Sequence, residues 1–181
     1  MRKIAVFLLI TAFTFVFTPS QAGAQHKYVG VGKCKTCHKS KRSGQQYQIW
    51  QKSKHSKAYA TLSSAESKKI AKEKGLGDPQ KAPQCLKCHI TAYNADKNLL
   101  GKRYKMEDGV GCESCHGPGG DYYKKKVMKA IYEGKQDGKA VGLIKPDEKT
   151  CKKCHNEESP SYKPFDFKKR IKEIAHPVLK K

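Results

Sequence analysis

The chain has 181 residues, 37% of them hydrophobic and 30% charged, with 38 Lys and Arg against 16 Asp and Glu, a formal charge of +22. That length allows one domain or two small ones, and the hydrophilic balance excludes a large hydrocarbon core. Eight cysteines in so short a chain point to a cofactor or a disulfide framework as the source of buried surface.

Residues 1–24 read as a signal peptide. Arg2 and Lys3 form a positive n-region, Ile4 to Phe17 is an uncharged and mostly apolar stretch of 14 residues, and Pro19 breaks it. Ala22-Gly23-Ala24 is a small-x-small cleavage site. The apolar stretch is short for a spanning helix, which needs about 20 such residues. The expectation is cleavage before Gln25, export, and a single mature domain, residues 25–181, with no stable membrane insertion. Its compartment is the periplasm or the cell exterior, which is oxidising.

His26 stands next to the expected new N-terminus, where fraying is the default. Cys34-Lys35-Thr36-Cys37-His38 follows. Composition is compatible with a helix over 39–60 carrying Trp50 and His55, and with a second over 64–75, started by Ser63 or Ser64 and ended by Gly75-Leu76-Gly77-Asp78-Pro79. Then come Cys85-Leu86-Lys87-Cys88-His89 and Cys112-Glu113-Ser114-Cys115-His116. Gly117-Pro118-Gly119-Gly120 reads as a loop, with glycine letting the chain pass close to a flat cofactor. A helix is expected over 122–134, Cys151-Lys152-Lys153-Cys154-His155 after it, and an amphipathic helix over 165–175, stopped by Pro177 and followed by His176. No alternating strand pattern is evident. The fold expected is mainly α: a compact multihaem cytochrome in which helices and irregular loops wrap four c-type haems.

The cofactor follows from the motifs. All eight cysteines fall into four C-x-x-C-H patterns, the attachment signal for c-type haem. Two cysteines three apart share one side of a helical turn, so Cys34 and Cys37, Cys85 and Cys88, Cys112 and Cys115, and Cys151 and Cys154 each offer two sulfurs to the vinyl groups of one porphyrin. His38, His89, His116 and His155 then point at the iron as proximal ligands. Structural zinc and disulfides or redox-active dithiols are the rival readings, and neither requires a histidine after every second cysteine.

Of the seven histidines, His26, His55 and His176 remain as sixth ligands. Three cannot close four irons, so at least one haem uses methionine, a neighbouring chain, water or nothing. Met106 and Met128 are the methionine candidates, although methionine is more often a core filler.

Tyr28-Val29-Gly30 before the first motif, Trp50 followed by His55 and Ala58, the string from Gly109 to Gly119 (GVGCESCHGPG), and Pro164-Phe165 through His176 together resemble the tetrahaem cytochrome c-554 family. The resemblance implies helices around closely packed haems and electron exchange with periplasmic oxidoreductases. It also implies that His55 closes the third haem opposite His116, that His176 closes the fourth opposite His155, and that the haem on His89 is five-coordinate. The family places a distal histidine for the first haem shortly after the GPG loop. Here that stretch is Asp121-Tyr122-Tyr123-Lys124, which leaves the first haem to His26, to another ligand, or open.

Loss of Arg2 and Lys3 from the total of +22 leaves +20 on the mature chain. Four ferric haems, at about −1 each, leave it strongly cationic. Acidic redox proteins are the expected partners, steered by that field; a nucleic-acid role does not fit an exported haem protein. The leading function is periplasmic electron transfer in an anaerobic or nitrogen-linked respiratory chain. The alternatives are an enzyme that binds or reduces a small nitrogen or oxygen species at an open haem, and a subunit of an extracellular cytochrome assembly in which His26 closes a neighbour's haem. No residue is singled out as catalytic.

Overall fold

A computed structural model describes residues 25–177. The expected signal peptide, residues 1–24, lies outside them, as do residues 178–181. The described chain is mainly α, with no strand; its one isolated bridge pairs Tyr28 with Leu100 in parallel.

The helices are short, and the sequence explains where each stops. α1 (Val31–His38) starts after Gly30, whose φ of 81° turns the chain into the first motif. The helix expected over 39–60 is instead four pieces: 3₁₀ turns at Lys41–Ser43 and His55–Lys57, α2 (Gln46–Lys52) and α3 (Ala58–Thr61). Gly44, in the left-handed region at φ 94°, ends the first piece, and Ser53, extended at ψ 164°, ends α2. His55 therefore sits in a tight turn and not on a continuous helix face. α4 (Ala65–Glu73) is capped as expected, the Ser64 hydroxyl accepting from the Ser67 amide at 3.2 Å.

α5 (Pro83–His89) begins with proline in its first turn, where the missing N–H costs nothing. α6 (Cys112–His116) is confined to the third motif. α7 (Lys125–Tyr132) starts later than the expected 122, because the Gly119 carbonyl accepts from the amides of Tyr122 and Tyr123 and holds them in a turn. α8 (Glu148–Lys152) opens with a capping box between Asp147 and Thr150. α9 (Phe167–Ile174) is capped by the Asp166 carboxylate, which accepts from the Lys169 amide at 3.1 Å. Phe167, Ile171 and Ile174 recur on one side of α9, as the sequence pattern requires.

The polypeptide has little core of its own. Among the described residues the buried apolar side chains are Val31, Leu62, Ala71, Ala82, Leu86 and Tyr122, and no large side chain is fully enclosed. So few buried groups do not offset the entropy of ordering a domain of this length. Polar staples do part of the work. Glu113, only 5% exposed, accepts from the amides of Val29 and Gly30 (2.8 Å each) and Gly119 (2.7 Å), tying the N-terminal segment and the glycine loop to α6. Buried Thr91 accepts from the Gly111 amide at 2.8 Å and bonds the Ser114 hydroxyl at 2.8 Å. Trp50 Nε1 donates to the Val110 carbonyl at 2.8 Å, and the Val110 amide to the His55 carbonyl at 3.0 Å.

The glycine loop admits a close approach of the chain to itself. Gly117 adopts φ 77°, and a Cβ there would overlap the carbonyl of Gly142; Gly120 lies against the backbone of Lys27. It is the chain's own backbone that passes closely here.

Candidate haem-attachment sites

Each motif is presented on a helical turn. α1, α5 and α6 end at His38, His89 and His116, and α8 continues into a turn in which the amides of Cys154 and His155 bond the Cys151 carbonyl at 3.2 and 3.0 Å. The two cysteines of each motif therefore share one side, as attachment to a single porphyrin requires.

Three of the four motif histidines are oriented through Nδ1. His89 Nδ1 lies 2.7 Å from the Ala58 carbonyl, His116 Nδ1 3.3 Å from the Ile144 carbonyl, and His38 Nδ1 3.4 Å from Gln46 Oε1. Donation from Nδ1 leaves the Nε2 lone pair free, the arrangement found in metal-ligating histidines. Burial lowers the pKa of His116, as does His176 beside it, while the bond to Ile144 opposes this. Burial also lowers His55, with His155 adding to it, and lowers His155, with Arg170 adding to it. These rings are held neutral, the state that binds metal.

Two histidine pairs face one another. The ring centres of His55 and His155 are 6.0 Å apart, and those of His116 and His176 are 5.7 Å apart. Two imidazoles on opposite sides of one metal, each bonded at about 2 Å, have ring centres about 6 Å apart. Phe165 stacks on His155 at 4.6 Å. His176 Nδ1 is buried without a hydrogen-bond partner. An open recess of about 470 Å³ lies beside His155, lined by Lys152, Asn156 and Tyr162 among others. Free metal-site geometry is lacking: among the described residues no three His, Cys, Asp or Glu side chains converge on one point, as zinc would need. The residues fit haem c: sulfur pairs on one side of a turn, histidines with free Nε2, ring pairs at bis-histidine spacing, and a polypeptide short of core.

The pairing corrects what the resemblance implied. His55 faces His155, not His116, and His176 faces His116, not His155. The backbone explains both. The Ala58 carbonyl holds His89, which draws the turn bearing His55 toward α5. The second motif in turn packs on the fourth, through the Lys87–Glu158 ion pair. At the other end the Pro177 carbonyl accepts from Gln46 Nε2 at 3.0 Å, which folds His176 back toward α1 and α2. The first motif there packs on the third, α1 lying against α6.

Cys115 is pushed up by burial and by neighbouring Cys151, so the third motif also borders the fourth. The attachment points thus run in space as first, third, fourth, second. The intervals along the chain give no hint of that order. Nothing in the sequence marks Glu113 and Thr91, because an acid between two cysteines and a threonine after a motif carry no distinctive signal. Tyr122 donates from its hydroxyl to the Gly117 carbonyl at 2.8 Å. His26 lies against Asp121, with Nδ1 and Oδ2 2.6 Å apart.

The family model for cytochrome c554 and c-prime matches residues 33–117, which contain the first three motifs. Cytochrome c-554 of Nitrosomonas europaea is 32% identical over 160 residues, an alignment covering 81% of this chain and 66% of that protein. No solved structure matches. With the motif helices, the anchored histidines and the haem-spaced ring pairs, these likenesses establish that the chain belongs to the cytochrome c554 family of c-type cytochromes.

Proposed function

We propose that this chain is a periplasmic tetrahaem electron carrier, with haems on Cys34/Cys37, Cys85/Cys88, Cys112/Cys115 and Cys151/Cys154. Haem supplies a one-electron centre whose potential depends on axial ligand and burial. His38, His89, His116 and His155 are the proximal ligands; His176 closes the third iron and His55 the fourth. The observation that carries the reading is the contact between motifs. α1 packs on α6, the His55 carbonyl accepts from the Val110 amide beside the third motif while its ring faces His155 of the fourth, and the Lys87–Glu158 ion pair joins the fourth motif to the second, so the four attachment points follow one another in a line.

The chain's other contribution is its field. Lysine and arginine outnumber the acidic residues 38 to 16, and the surplus attracts acidic redox proteins. The sequence of residues 1–24 supports export, and no helix among the described residues is long and apolar enough to cross a membrane. We place the carrier in an anaerobic or nitrogen-linked respiratory chain.

Stopped-flow reduction of the holoprotein by an acidic flavodoxin-type donor tests the proposal. The second-order rate is expected to fall steeply with ionic strength while all four haems are reduced together. A rate indifferent to salt removes the steering argument, and a haem that stays oxidised breaks the proposed line.

A further inference from the structure

His26 is not frayed. Its side chain is 17% exposed, although its partner Asp121 is 60% exposed. The backbone around it is fixed: the Lys27 carbonyl accepts from the Gly120 amide at 2.7 Å, and the amides of Val29 and Gly30 bond Glu113. One edge of the ring lies over Gly142, where a Cβ would stand 2.7 Å from His26 Cδ2. The N-terminal segment is thus laid along the loop that follows α6, and the imidazole is enclosed by it.

The anchoring of this ring matches that of the motif histidines. A carboxylate on Nδ1 fixes the tautomer and leaves Nε2 as a free lone pair. His38, His89 and His116 are anchored through the same atom. Solvating an isolated surface pair requires no such enclosure.

The neighbours of Asp121 identify the iron. His116 and His155 already face His176 and His55, which leaves the irons on His38 and His89. Lys33 Nζ stands 5.2 Å from the ring centre of Tyr123, and Tyr122 lies within electrostatic reach of Cys34. Both tyrosines follow Asp121 directly, so the loop that holds His26 abuts α1 and the first motif.

We infer that His26 is the distal axial ligand of the haem on Cys34 and Cys37, opposite His38, and that Asp121 is its positioning residue. This deepens the tetrahaem reading and rests on it. The N-terminal segment supplies from before the first motif the ligand that the stretch 121–124 lacks. All seven histidines are then assigned, and the haem on His89 is the one left without a histidine opposite.

The test is electron paramagnetic resonance of the oxidised holoprotein with a count of high-spin irons. His26→Ala is expected to raise that count by one of four, at any protein concentration, and added imidazole to restore it. His26→Met is expected to keep the parent count and raise one reduction potential. Asp121→Asn is expected to keep the count and shift that same potential alone. An unchanged count in His26→Ala that still carries four haems overturns the inference but leaves the tetrahaem reading intact. A change that appears only on dilution of the parent overturns it in favour of a neighbouring chain's iron. A parent with fewer than four haems by mass overturns the tetrahaem reading itself.

Discussion

His116 and His176 hold their ring centres 5.7 Å apart, although one ends a motif helix and the other follows the last helix of the described chain. The C-terminal segment therefore packs on the third motif. His176→Ala and His55→Ala are each expected to convert one low-spin iron to high-spin without changing the number of haems, read by electron paramagnetic resonance and intact mass. The pairing is separable. In a chain that lacks the fourth attachment site (Cys151→Ala with Cys154→Ala), His55→Ala is expected to have no further effect on the spin count, while His176→Ala still adds one high-spin iron. The reverse dependence would restore the pairing that family resemblance implies.

Glu113 is a structural acid inside a haem-attachment motif. Its two oxygens accept from three backbone amides. Glu113→Gln keeps the shape, presents an NH₂ to at least one of those donors, and removes the charge. Hydrogen bonds to a charged acceptor are worth about 1.5–3 kcal/mol each and are not additive. A loss of about 2–4 kcal/mol in unfolding free energy is expected from denaturant titration. An effect below about 0.5 kcal/mol, the ordinary surface range, would refute the staple.

Gly117 and Gly75 share the left-handed backbone region but not their surroundings. Gly117 faces the Gly142 carbonyl at overlap distance, whereas nothing lies near a Cβ on Gly75. Gly75→Ala is expected to cost about 1 kcal/mol from backbone strain alone. Gly117→Ala is expected to cost several times as much or to abolish accumulation of the holoprotein. Equal costs in thermal unfolding would contradict the packing described.

The cap of α8 carries a pH signature. The Thr150 hydroxyl and amide hold the Asp147 carboxyl below its ordinary value. A depressed folded value means stability that is present above the ordinary aspartate range and lost as pH falls through the lowered value. Asp147→Asn retains an N-cap acceptor but does not titrate. It is expected to flatten the acid limb of stability measured between neutral pH and the lowered value, and an unaltered acid limb would remove the cap from the account.

What was legible in the sequence was chemistry and class. The four motifs, the α character, the Ser64 cap and the terminal amphipathic helix were all readable from spacing. The continuity of 39–60 was not, because helix-compatible composition hid the effect of Gly44 and Ser53, each of which breaks the run by a backbone conformation that propensity does not encode. Ligand pairing was not legible either. It depends on which carbonyls anchor which ring, such as Ala58 with His89, and on a long-range bond from Gln46 to Pro177. The closure of His26 by Asp121 required two segments far apart in sequence to be seen side by side.

The most direct measurement of the central claim is the intact mass of the purified exported protein under denaturing conditions. The expected mass is that of the chain from Gln25 onward plus four haem increments that survive denaturation. A mass with fewer covalent increments, or with none, would contradict it.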